Sequence, residues 1–254
     1  MTPSRRALVT GAAAGLAAGI APALALDGFA HVAITYRTTA PDATLAAIEA
    51  AGVSASAVRV DFLDDPDSIA SALGELVRAN GPFDTLVHAV GPLAIKRFER
   101  LTVADYQTIF DGNVRSAVLA SRAVLPAMRA AGFGRLIFFG SLDAAETRPF
   151  RGFSLYGAAK SALTAFARTL AVEEARHGIT VNVVVPGDIR EKTRDRAAAH
   201  AVAGRSPRGR SGSYEDVADV VRFLAAPQRD FVTGAVIAVS GGLTQADERN
   251  EPSQ

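Results

Sequence analysis

The chain has 254 residues, 49% of them hydrophobic and only 7% aromatic, with no tryptophan and a formal net charge of +1. This is the make-up of a packed α/β protein; it argues against a disordered or fibrous chain and against a broad nucleic-acid-binding surface. The absence of cysteine excludes disulfides and thiolate chemistry, and the four scattered histidines lack a ligand spacing, so no metal is expected.

The N-terminus imitates an export leader. Ser4-Arg5-Arg6 precedes an apolar run, and Ala23-Leu24-Ala25 resembles a cleavage site. Cleavage there would delete the first strand and the turn after it. No apolar run reaches the roughly 18 uninterrupted residues of a membrane span. No membrane association and a cytoplasmic location are therefore expected.

Short apolar runs at 6–10, 31–36, 57–61, 85–90, 135–139, 180–185 and 236–240 read as strands. Most are nearly continuous in Val, Ile, Leu, Ala or Phe, as strands covered on both faces must be. Helical patterns lie between them near 15–27, 42–51, 66–79, 103–130, 155–177 and 214–226. The alternation predicts an α/β fold, a single-domain, Rossmann-like, doubly wound parallel sheet of about seven strands with helices on both faces. No internal repeat or interdomain linker breaks residues 1–254.

The first strand runs into Thr10-Gly11-Ala12-Ala13-Ala14-Gly15-Leu16-Ala17. A glycine-rich turn between a strand and a helix can hold a pyrophosphate against free backbone N–H groups and a favourable dipole. Gly11 permits the tight turn and Gly15 a close backbone approach, with Ala13, Ala14 and Leu16 as neighbours. The second strand ends at Tyr36-Arg37. An acid at Tyr36 would bind the ribose diol of NAD; tyrosine does not, whereas Arg37 can pair with a 2′-phosphate. NADP(H) is favoured on this ground, with NAD(H) as the alternative. Asp61, followed by Phe62, ends the third strand, where it can accept from an adenine amino group or serve a turn.

Downstream come Asn113, Ser141, Tyr156 and Lys160, the last two in Tyr156-Gly157-Ala158-Ala159-Lys160. Residues four apart on a helix share a face, so Lys160 can place charge near the Tyr156 hydroxyl and favour its ionised form. Tyr156 can then exchange a proton with a carbonyl or alcohol oxygen. Ser141 can orient that oxygen, and Asn113 can hold a water linking Lys160 to solvent. Each residue alone has an ordinary structural explanation; their order after particular strands is the signal. The stretch 188–213 carries seven Arg or Lys and three acids, broken by Gly204, Pro207, Gly209 and Gly212. It reads as a mobile substrate loop with some helix, the alternative being a solvated basic loop. Residues 245–254 are polar and expected to fray.

On these residues the chain resembles the short-chain dehydrogenase/reductase family from about Arg5 to Leu243, and most of all the 3-oxoacyl-acyl-carrier-protein reductase type. Asn182, Pro186-Gly187, Arg210 to Ala218, Thr233-Gly234 and Gly241-Gly242 add to the likeness. The resemblance implies a catalytic tetrad of Asn113, Ser141, Tyr156 and Lys160. It also implies that Lys160 binds the nicotinamide ribose, that Pro186, Gly187 and Ile189 line the nicotinamide, and that the protein is a homotetramer or homodimer. His88-Ala89-Val90-Gly91 replaces the family's Asn-Asn-Ala-Gly, so another group must tie down that backbone, and His88 reads as structural. Ala14 stands where NADP-preferring members often carry a base. The spacing from Ser141 to Tyr156 is long by about two residues, in 143–153, and Glu191 replaces a usual threonine.

The expected function is NADP(H)-dependent interconversion of a ketone and a secondary alcohol, with a small-molecule or acyl-thioester carbonyl substrate such as a 3-oxoacyl thioester. An NAD-linked alcohol dehydrogenase, or a non-catalytic dinucleotide-binding sensor or scaffold, are the alternatives.

Overall fold

A computed structural model describes residues 4–142, 151–190 and 194–243. Seven strands form one parallel sheet: β1 (Arg5–Thr10), β2 (Phe29–Tyr36), β3 (Ser54–Arg59), β4 (Thr85–His88), β5 (Gly134–Phe139), β6 (Ile179–Pro186) and β7 (Val236–Val239). Their order is β3-β2-β1-β4-β5-β6-β7. The winding reverses between β1 and β4, which opens a crevice at their carboxyl ends.

Alternate residues of each strand serve two cores. Leu8, Leu86, Phe138 and Val183 face α3 (Pro66–Asn80), α5 (Ser116–Ala131) and α6 (Ser154–Glu174). Val9, Val87, Ile137 and Val184 face α1 (Gly15–Ala25), α2 (Asp42–Ala50) and α8 (Tyr214–Ala225). This two-sided burial is the reason the strands read as continuous apolar runs. Asn182 secures the approach to β7, donating to Val232 O at 2.8 Å and accepting from Ala235 N at 3.1 Å. No helix is long and apolar enough to cross a membrane, among the described residues.

Two elements differ from expectation. The third strand starts three residues before the predicted 57–61 and ends at Arg59. Its front is made of small polar residues, and Ser54 and Ser56 bond the two ring nitrogens of His31 at 3.0 and 2.9 Å. The predicted helix 103–130 is two helices, α4 (Val103–Phe110) and α5, joined by a π-helical turn at Asp111–Arg115. Within that turn the Asn113 amide donates to Ile109 O at 2.9 Å and to Pro92 O at 3.0 Å.

Candidate active site

The turn after β1 is tied down by its neighbours. Gly11 donates to Thr35 Oγ1 at 3.1 Å, Ala12 donates to Thr35 O at 2.9 Å, and Thr44 Oγ1 donates to Ala12 O at 2.9 Å. Gly11 and Gly15 have φ of 69° and 63°, a left-handed conformation that glycine adopts without strain. Gly15 has no heavy atom within 4 Å of an added Cβ, so its backbone conformation, rather than space, requires glycine there. Helix α1 starts at Gly15 with Ala14 as its N-cap, whose side chain caps none of the first-turn N–H groups. Those donors fit an anionic group.

Two clefts meet at this turn and share Gly11, Ala89 and Gly91. One, of 280 Å³, is walled by Tyr36, Arg37, Asp61 and Phe62. The other, of 330 Å³, is walled by Ala14, Gly15, Leu16, Ser141, Tyr156, Lys160 and Pro186. Asp61 has the turn role as well, since its Oδ1 accepts from Leu63 N at 3.1 Å. The Phe62 side chain is buried in the core with its ring edge-on to His88. Ala13 belongs to the turn but does not line either cleft. Gly187 is pressed against Ser240, where an added Cβ would stand 2.6 Å from Ser240 Cα. Ile189 lines a third, polar cavity and pairs with Gly212 across an isolated bridge.

The four residues expected to form a tetrad come together at this cleft. Lys160 is buried, and its Nζ donates to Phe139 O at 2.7 Å. Ser141 hydrogen-bonds the Tyr156 hydroxyl, and Phe153 meets the Tyr156 ring edge-on at 5.5 Å. Asn113 spends its amide hydrogens on Pro92 and Ile109, which leaves its buried Oδ1 without a partner. That oxygen and Lys160 Nζ flank Gly91, where an added Cβ would be 2.8 Å from one and 2.9 Å from the other. Only glycine admits this approach.

The electrostatics correct one expectation. Tyr156 is pushed above the usual tyrosine range, because burial outweighs the Ser141 hydrogen bond. Lys160 was expected to pull it down, but its ammonium is aimed at the Phe139 carbonyl and lies 5.7 Å from the Tyr156 ring centre. Burial also lowers Lys160 itself, to about 8.

His88 answers the question of what holds the backbone of its segment. Thr10 Oγ1 accepts from Ala89 N at 3.1 Å and lies 2.9 Å from His88 Nδ1. Ser116 Oγ lies 2.9 Å from His88 Nε2 and donates to Gly112 O at 2.7 Å. Since Ser116 has given its proton to Gly112, Nε2 must be the protonated nitrogen, and Nδ1 accepts from Thr10. His88 is thus a structural bridge between β1, β4 and α5.

The segment read as a mobile substrate loop makes specific contacts over its described residues 188–190 and 194–213. Its short helix α7 (Arg196–His200) and the following loop are clamped to the start of α8. Asp216 accepts from Arg210 at 2.7 and 3.0 Å and from Arg196 at 3.1 Å, besides capping through Ser213. The Arg210 hydrogen bonds hold its carboxyl well below the usual range. Asp216→Asn should raise the rate of tryptic cleavage inside 194–210 by about tenfold through easier local opening. Equal cleavage of wild type and variant would show that the clamp does not control the segment. The expected contributions of 143–150 and Glu191, and the fraying of 245–254, fall on residues outside those described, apart from 151–153.

A profile described as Enoyl-(Acyl carrier protein) reductase matches residues 11–244. Among curated relatives, the 3-oxoacyl-[acyl-carrier-protein] reductase FabG of Escherichia coli is 33% identical, over 93% of this chain and 96% of its own. The short-chain reductase protein NovJ of Streptomyces niveus is 32% identical, over 93% and 92%. Among solved structures, the acetoin dehydrogenase of Enterobacter cloacae superposes with a TM-score of 0.86 at 28% identity, covering 99% of this chain and 100% of that one.

Proposed function

This chain belongs to the short-chain dehydrogenase/reductase family and acts as an enzyme on CH–OH or carbonyl groups, and from that premise we propose that it reduces a ketone with NADPH, using Tyr156 as the proton donor. The observation that carries the proposal is the meeting of Asn113 Oδ1 and Lys160 Nζ across Gly91, next to the Ser141–Tyr156 hydrogen bond.

The residues present fit a dinucleotide. The uncapped start of α1 suits the pyrophosphate, Asp61 the adenine, Arg37 a 2′-phosphate and Lys160 the nicotinamide ribose. Gly91 and Pro186 wall the nicotinamide end. When bound, the reduced nicotinamide supplies hydride to the carbonyl carbon. Ser141 holds the carbonyl oxygen beside Tyr156, whose hydroxyl donates its proton as negative charge develops there. A water held by Asn113 Oδ1 then links Lys160 to solvent, so that Lys160 can return a proton to Tyr156. The raised Tyr156 pKa suits donation in the reductive direction, because the hydroxyl is fully protonated near neutrality.

The substrate reading is a ketone small enough to reach Tyr156 past Phe153, with 3-oxoacyl thioesters first in the trial set, in keeping with the printed name of the E. coli relative. The anchored segment 194–213 serves as the lid over that substrate. A homodimer or homotetramer is the assembly proposed, in keeping with exposed Val103 and Tyr106 on α4; the cytoplasm is the proposed compartment.

Titration with NADPH and NADH by fluorescence tests the cofactor. Wild type should bind NADPH at least tenfold more tightly, and Arg37→Ala should erase that margin while leaving NADH unchanged. Tighter binding of NADH by the wild type would overturn the assignment.

A further inference from the structure

We infer that Arg59 is a second cation for the 2′-phosphate, acting with Arg37 as a two-arginine clamp built across the ends of β2 and β3. The inference rests on the NADPH reading above and adds a specificity-determining residue to it.

Register places Arg59 there. Strands β2 and β3 run parallel with Tyr36 opposite Arg59, and the pairing continues one step further through Val60 N to Tyr36 O at 2.9 Å. Residues opposite one another on neighbouring strands project from the same face. The side chain of Arg59 therefore rises beside the residue that precedes Arg37. Its Nε donates to Arg37 O at 3.1 Å, which fixes the guanidinium at the backbone of Arg37. The contact uses one of the five N–H donors and leaves the forked edge for another acceptor.

Both arginines are exposed, and among the described residues neither has a carboxylate within ion-pair distance. Other arginines of this chain are paired: Arg129 with Glu174, Arg210 with Asp216, Arg222 with Asp27. Asp61, which walls the cleft together with Arg37 and with Val60, the neighbour of Arg59, accepts from Leu63 N. A phosphate dianion has oxygens enough to take a fork from each of two guanidinium groups and to offset the repulsion between them. The phosphate turn itself offers no base, since Ala14 and Leu16 are its cleft-lining side chains apart from glycine and Ala17. The clamp supplies from two strand ends the charge that the turn lacks.

Binding of NADPH, NADH and adenosine 2′,5′-bisphosphate to the full chain, followed by fluorescence and calorimetry over a range of salt, tests this for wild type, Arg37→Ala, Arg59→Ala and Arg59→Lys. Arg59→Ala should weaken NADPH and the bisphosphate by roughly tenfold and flatten their salt dependence, with NADH held within about twofold. Arg59→Lys should recover part of the loss, because it restores charge without the Nε bond. If Arg59→Ala binds NADPH as wild type does while Arg37→Ala does not, the clamp is wrong and the NADPH reading stands. Equal weakening of NADPH and NADH would give Arg59 a structural role only and overturn the inference. A wild type without preference for NADPH would overturn both.

Discussion

Tyr156→Phe should lower kcat/KM for ketone reduction by about 10²–10⁴-fold while the Kd for NADPH stays within about twofold. The substitution removes one oxygen and keeps the ring, so the edge-on contact with Phe153 survives and the local packing changes little. What disappears is the proton that Ser141 helps to aim. Steady-state kinetics and a parallel cofactor titration separate the two effects. A variant with more than a tenth of wild-type kcat would mean that another group delivers the proton, and the tetrad assignment would fall.

Acid should destabilise the protein through His88. The imidazole is fully buried, and burial, then the charge of Lys160, lowers its pKa to about 3 from an ordinary 6.5. Above 6.5 the ring is neutral in the folded and unfolded chains alike, and its titration has no effect on stability. Below 6.5 the unfolded chain takes up a proton that the folded one refuses, so stability falls as pH falls. The loss is roughly 1.4 kcal/mol per pH unit below 6.5, about 2 kcal/mol by pH 5, and it levels off at about 4 kcal/mol around pH 3, where the folded ring begins to protonate as well. A second proton on the ring would also set Nδ1–H against a Thr10 hydroxyl that already receives Ala89 N–H. Urea unfolding of wild type and His88→Asn at pH 7.5 and pH 5 isolates the group, because the other titrating residues cancel in the difference. Identical losses in both proteins would show that His88 is not what acid attacks.

Much of this site could be read before any coordinates, for a physical reason. Strands buried on both faces announce themselves as apolar runs, and a strand–glycine–helix junction has few uses. The four candidate residues could be singled out because they follow particular strands in a fixed order. What could not be read depends on partners far away in sequence. The polar front of β3 is stabilised by His31, 23 and 25 positions from Ser54 and Ser56. Within the π-helical turn, Asn113 bonds to Pro92, 21 residues back. The direction of the Tyr156 shift depends on how deeply its hydroxyl is buried, and no periodicity reports that. Nothing in the sequence singles out Arg59, since its neighbourhood with Arg37 exists only in the register of β2 on β3. His88 was readable as structural, but its partner Thr10, 78 residues upstream, was not.

The order of the strands also governs how the sheet can be assembled as the chain is made. Strand β1 lies between β2 and β4, so the earliest strand waits with one edge bare until His88 has been synthesised. From β4 onward each new strand, β5, β6 and then β7, adds to the outside of the last one in chain order. A nascent chain therefore always ends in a raw parallel edge, successively that of β4, β5 and the valine-rich β6 (ITVNVVVP). Parallel edges close slowly, through long connections, and invite pairing with other chains while they are open. Slowing synthesis just before β7 should thus prolong the most apolar of these edges and send more of the product into aggregates than a pause of equal length before β3.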